Sequence, residues 1–113
     1  MKIYFVFALL IAAVVFSNCH STKKAASESP KLSFENDVHA LVTANCSPCH
    51  IPEKGGRMPA FDSYEKVKTN IDSIIARIEL QPGQKGFMPF KRARLSDSTI
   101  NVFKQWRAGG MMP

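Results

Sequence analysis

Cys46, Ser47, Pro48, Cys49 and His50 form the pentapeptide Cys-x-x-Cys-His, in a chain that holds only three cysteines and three histidines. This is the pattern of a covalent haem attachment site. Two thiols held two residues apart can add to the two vinyl groups on one edge of a haem, while the adjacent imidazole turns to the iron. A chain built this way has to place a large flat apolar group near its centre.

Cys-x-x-Cys also serves thiol-disulfide exchange, but that use calls for a strand-helix-strand pattern with the motif at a helix N-terminus. No such pattern of strands can be read here. A structural zinc site needs four ligands. The remaining donors are Cys19, His20 and His39, and none recurs at a second paired spacing. A plain disulfide would leave His50 without a role.

Lys2 is followed by fourteen apolar residues, Ile3 to Phe16, and then by Ser17, Asn18 and Cys19. The run is shorter than the roughly 20 apolar residues a membrane-spanning helix needs, and it has the layout of an export signal. We therefore expect residues 1–18 to be a signal peptide and the chain to be exported. Phe16-Ser17-Asn18-Cys19 resembles a bacterial lipoprotein signal, in which the cysteine becomes the lipidated first residue of the mature chain. Several acyl chains on Cys19 would anchor the protein firmly to a membrane. The polar stretch that follows, with Lys23, Lys24, Ser27, Glu28 and Pro30, reads as a tether, so residues 19–32 are expected to be the lipidated N-terminus and linker and 33–113 the folded domain.

The formal charge is +6. Loss of Lys2 with the signal leaves +5, and two ionised haem propionates would bring the holoprotein to about +3. No aromatic-interleaved basic stripe is present, so nucleic acid is not an expected partner. Lys91, Arg92 and Arg94 form the densest basic cluster. They read either as a solvated loop or as a rim that docks an acidic redox partner.

Periodicity predicts helices and no strands. Ser33 can cap a first helix with Phe34, Val38, Leu41 and Val42 on one stripe, running directly into Cys46. Asp62 with Glu65 three residues on suggests a capping box for a second segment, whose apolar set is Tyr64, Val67, Ile71, Ile74, Ile75 and Ile78. The pattern allows one helix or two broken near Asn70. Ser96 caps a last helix carrying Ile100, Phe103 and Trp106 before Gly109 and Gly110. Between these lie two loops rich in proline and glycine, Ile51 to Phe61 and Gln81 to Leu95.

If His50 takes one axial position on an iron, the opposite one falls to Met88. It stands in Gly86-Phe87-Met88-Pro89-Phe90, where the proline stiffens the backbone that carries the thioether. Met58 also precedes a proline but is only eight residues from His50. Met111 and Met112 follow the terminal glycines and read as frayed or packing residues. His39 reads as a surface histidine on the first helix, or one beside a haem propionate.

With these elements in place, the chain resembles a monohaem class I cytochrome c over residues 33–110. The resemblance rests on the helix leading into Cys46 to His50, the Met88-Pro89 loop, and the terminal helix beginning Leu95-Ser96-Asp97 and bearing Trp106. It implies an all-α fold of three to four helices wrapped around one covalent haem c, with the first and last helices packed through Phe34 or Val38 against Phe103 or Trp106. It also implies one-electron transfer with redox partner proteins on the periplasmic side of a bacterial membrane, and no enzymatic turnover. The alternative is a haem-based ligand-binding or sensor module with a labile sixth site.

Overall fold

The computed structural model describes residues 31–113. The predicted signal, Cys19, His20 and the tether up to residue 30 lie outside the described residues. Packing reaches back to Leu32, which rests against the core.

Ser33 starts the first helix by capping it in both directions. Its Oγ accepts from the Asn36 N–H at 3.2 Å, and its own N–H donates to the Asp37 carboxylate at 2.7 Å. In the usual capping box the returning acid stands three residues on. Here it stands four on, and the first turn, Phe34–Val38, is wound as a π-helix in which the His39 N–H donates to the Phe34 carbonyl. The wider turn supplies the extra residue. The chain then continues as an α-helix, His39–Cys46 (α1), with Phe34, Val38 and Val42 buried along one side.

The second helix, Tyr64–Ile78 (α2), is continuous. Asn70 causes no break: its side-chain amide donates to the Lys66 carbonyl one turn back, at 2.8 Å. Val67, Ile71, Ile74, Ile75 and Ile78 are all buried, as their spacing predicts. The expected capping box does not form. Ser63 occupies the cap position, and the Asp62 carboxylate pairs with Lys66 at 2.8 Å instead. The nearby ammonium satisfies it better than a reach back to the backbone.

Ser96 caps the third helix, Asp97–Ala108 (α3), by accepting from the Thr99 N–H at 3.1 Å. Gly110, at φ 92°, turns the chain beyond it, and Met111 follows at φ 54°. This conformation is unusual for a residue with a side chain. It is held on three sides: the Met111 N–H donates to the Trp106 carbonyl at 2.9 Å, the Tyr64 hydroxyl donates to the Met111 carbonyl at 2.8 Å, and the Met111 side chain packs on the core. The next carbonyl, of Met112, accepts from Trp106 Nε1 at 2.8 Å and from the Phe34 N–H at 2.9 Å. The C-terminal backbone is therefore tied down rather than frayed, with the Met111 side chain packed and the Met112 side chain exposed.

Among the described residues the regular structure is helical, with a short 3₁₀ turn at Pro52–Lys54 and a single isolated bridge between Ser33 and Met112. The all-α expectation holds for them. The core centres on Trp106, Phe34, Phe103, Val38, Val42 and Val67. The Phe34 and Trp106 rings lie 6.0 Å apart, joining the first and last helices at the expected pair, and Tyr64 meets Trp106 edge-on at 6.2 Å. Truncating Trp106 removes a fully buried ring that meets both Phe34 and Tyr64, together with its donor. Trp106→Ala should cost about 3–5 kcal/mol, whereas Tyr64→Phe, which keeps the ring and loses the hydroxyl's bonds to the Met111 carbonyl and from Lys68 Nζ, should cost about 1–2 kcal/mol; denaturant unfolding of the two variants measures both.

Candidate cofactor site

The first wall of the site grows out of α1. Cys46 is the last residue of that helix, Ser47 is extended, and the chain curls so that the His50 N–H donates to the Cys46 carbonyl at 3.0 Å and the Ile51 N–H to the Pro48 carbonyl at 3.1 Å. The two thiols are free and unlike one another. Cys49 is exposed, whereas Cys46 is half-buried and packed on the core. Burial pushes the Cys46 thiol from its ordinary 9.0 up to about 11, against a smaller opposing pull from the Arg92 guanidinium. Its position at the C-terminal, negative end of a helix is the reverse of the N-terminal placement that activates a redox thiol.

The loop after His50 folds back over the pentapeptide. The Met58 N–H donates to the Cys49 carbonyl at 3.1 Å, and the Phe61 N–H donates to the His50 carbonyl at 2.8 Å. Gly56 makes this return path open, because a Cβ there would collide with the carbonyl oxygens of Pro48 and Cys49. The glycine permits a close approach, but to the pentapeptide's own backbone.

The result for His50 is a defined tautomer. Its Nδ1 lies 2.6 Å from the Pro59 carbonyl oxygen. A carbonyl can only accept, so Nδ1 carries the proton and Nε2 carries the lone pair. The Phe61 ring lies parallel to the imidazole, 4.2 Å away and tilted by 4°, which fixes its plane. A histidine whose Nδ1–H is donated to a backbone carbonyl, leaving Nε2 to face a metal, is the usual arrangement of an imidazole ligand.

Met88 belongs to a second wall. Its N–H donates to the Arg77 carbonyl near the end of α2 at 3.2 Å, and Arg77 Nη1 donates to the Gly86 carbonyl at 3.3 Å. The far end of the same loop is tied to α1: Arg92 Nη1 donates to the carbonyls of Ala44 and Asn45, each at 3.3 Å. Of the expected basic cluster, Arg92 is exposed but reaches back to α1, and Arg94 pairs with Asp97 at 2.7 Å. Lys91 stands over the Phe90 ring, 5.3 Å from its centroid.

The two walls enclose a cavity of about 500 Å³ that brings Cys46, Cys49, His50 and Met88 together. Its floor is apolar, made by Ile74, Ile78 and Phe103. Met58 also lines it, from the same loop that carries Pro59 and so from the histidine side. His39 does not: it is exposed and stacks on Phe34 at 5.4 Å. Among the described residues, Arg77 and Arg92 are the charged side chains in the lining, and none of those lining it is a carboxylate. Sequence reasoning missed both arginines as site residues, and nothing in their local pattern marks them, since their roles come from contacts nine and some forty-seven residues distant.

Comparison with family models, curated proteins and solved structures found no match for this chain. Among the described residues, no three side chains of the His, Cys, Asp or Glu type gather as a metal cluster, so these residues alone assemble no zinc site. Nor is any helix among them long and apolar enough to cross a membrane. The lining does fit a haem: two thiols, an imidazole with Nε2 free, a thioether from the other wall, an apolar floor, and a volume within the roughly 300–1,000 Å³ of cofactor and ligand sites.

The raised Cys46 pKa has a definite pH consequence for the chain with free thiols. The folded state prefers the neutral thiol, so the contribution is complete below pH 9.0 and is lost as pH rises to about 11. Unfolding curves across that window should show a loss on the order of 2–3 kcal/mol that Cys46→Ala abolishes. Conversion of the sulfur to a thioether should abolish it as well.

Proposed function

We propose that this chain is a one-electron carrier: an exported c-type cytochrome with one covalent haem c, tethered to the periplasmic side of a bacterial membrane through a lipidated Cys19. The observation that carries the reading is His50, with Nδ1 committed to the Pro59 carbonyl and Nε2 left free on a cavity that it shares with Cys46, Cys49 and Met88. A haem bound there would supply reversible exchange between ferrous and ferric iron.

The residues divide the work. The Cys46 and Cys49 thiols would each add S–H across a vinyl group, forming a C–S bond and delivering the hydrogen to the other vinyl carbon, with no leaving group and no change of oxidation state. His50 Nε2 would hold the iron on the histidine side. Met88 is favoured over Met58 for the opposite position. Met58 is bonded through its N–H to Cys49 and neighbours Pro59, so it belongs to the histidine wall, whereas Met88 comes from the wall tied to α2. A thioether opposite an imidazole favours the ferrous state and raises the potential. Arg77 and Arg92 would balance the two carboxylates that a haem brings to a lining without acids.

The rival use of Cys-x-x-Cys in thiol exchange is disfavoured by the same geometry. Cys46 ends a helix instead of starting one, and its thiol is pushed up to about 11, which leaves only about one part in ten thousand as thiolate at pH 7.

Optical spectra of the oxidised and reduced protein, with the intact mass of the mature chain, test the reading. We expect a six-coordinate low-spin haem, a covalent haem mass, and acyl mass on Cys19. A mature chain without covalent haem would refute the proposal, and brisk carbon monoxide binding to the reduced wild type would indicate a ligand-binding module instead. Met88→Ala should lower the potential and admit external ligands; Met58→Ala should do neither.

A further inference from the structure

The loop carrying Met88 is suspended between two arginines, and its two attachments differ in kind. At its start, a backbone bond from the Met88 N–H to the Arg77 carbonyl joins it to α2, and the Arg77 guanidinium adds a second bond to Gly86. At its end, a side chain spans to α1: exposed Arg92, through Nη1 alone, bridges the carbonyls of Ala44 and Asn45. These are among the last carbonyls of α1, which lack helical partners and carry the negative end of its dipole, so a guanidinium suits them. They also immediately precede Cys46. Arg92 therefore links the methionine wall to the helix that bears the first thiol.

The residue beside it points the same way. Lys91 is one of two non-glycine residues with positive φ among those described, at 57°. The other, Met111, is held by backbone and hydroxyl bonds within the core. Lys91 has an exposed cation over an exposed ring, Phe90, which is 65% accessible. An unfavourable backbone conformation persists only where its surroundings enforce it, and here the neighbouring restraints are the Arg92 bridge and the Arg92 N–H bond to the Pro89 carbonyl at 3.2 Å.

We infer that Arg92 is a latch: its bridge to Ala44 and Asn45 holds the loop of residues 89–92 shut against α1 and thereby keeps Met88 at the cavity, and the loop opens from this end rather than from the Arg77 end. The inference rests on the haem reading of the same cavity. It makes Arg92 a positioning residue that governs how readily an external ligand displaces the Met88 thioether.

The test uses the full-length holoprotein and imidazole as the probe. Imidazole binding to the ferric form of Arg92→Ala should be on the order of tenfold faster than to the wild type, about the loss of one charge-assisted bond, because the two contacts share Nη1 at 3.3 Å on an exposed side chain. The thioether-to-iron absorption band should weaken in parallel. Arg92→Lys should recover part of the difference, and Arg92→Gln should resemble Arg92→Ala. Arg107→Gln, which removes an equal charge paired with Asp72 at 2.8 Å, should bind imidazole as the wild type does. Wild-type rates in both Arg92→Ala and Arg92→Gln would overturn the latch, as would an equal acceleration in Arg107→Gln. If Met88→Ala itself binds imidazole no faster than the wild type, the ligand assignment fails instead, and the latch with it.

Discussion

One carbonyl holds the two ends of the domain together. The Met112 oxygen accepts both from the Phe34 N–H, in the first turn, and from Trp106 Nε1, in the last helix. The Phe34 and Trp106 rings pack beside it. Because a buried indole N–H without an acceptor is costly, Trp106 can be fully buried only if the chain beyond α3 turns back to supply one. That turn requires Gly110 and the unusual backbone of Met111, and Tyr64 then secures it from α2. All three helices meet at this point, so the direction of α1, and with it the placement of Cys46, follows from how the C-terminus is tied down.

From that anchored end the cavity is built by two walls with different histories. The histidine wall is local in sequence: α1 ends, the pentapeptide turns, and residues 51–61 fold back within reach of it through Gly56. The methionine wall is hung from α2 by Arg77 over a span as short as those of the histidine wall, but its tie to α1 through Arg92 is long-range. Local geometry can set the His50 tautomer before the rest of the domain forms, whereas Met88 reaches the cavity only when α1 and α2 are already placed. This asymmetry separates the two methionine candidates, since Met58 follows His50 wherever it goes.

The parts legible in the sequence are those set by periodicity and by short spacing. The apolar stripes of all three helices and the caps at Ser33 and Ser96 follow from patterns that bury one face, whereas the meeting of Phe34 with Trp106 is one of the four pairings that the resemblance implied. The pentapeptide and Met88 could be read from residue type and neighbouring prolines. What could not be read depended on competition or distance. Asp62 had two partners within four residues, and choosing Lys66 moved the cap to Ser63. The π-wound first turn hinges on an acid one residue further along than the usual box. The Pro59 oxygen that orients His50 and the carbonyls that take Arg92 are backbone groups, and backbone groups leave no signature in a sequence. Arg92 read as part of a surface cluster because its neighbours are basic, not because of anything it contacts.

Ile74, Ile78 and Phe103 show how the site relates to the rest of the fold. Each is buried, at 5%, 4% and 1% accessible, yet each also lines the cavity. The cavity is therefore walled in part by the core itself and is not a pocket cut into a polar surface. A flat apolar group set against these side chains would extend the core, and the gain would come from taking the group's own apolar faces out of water, since the side chains are already almost fully buried. The same continuity binds the site to packing: the residues that floor the cavity come from α2 and α3 and belong to the core the two helices share. The four ion pairs among the described residues are all at least partly exposed and contribute little to this joint. Any change that shifts α2 against α3 moves the floor of the site and the Arg77 end of the methionine loop together, so the environment of a bound iron and the stability of the domain are controlled by one set of contacts.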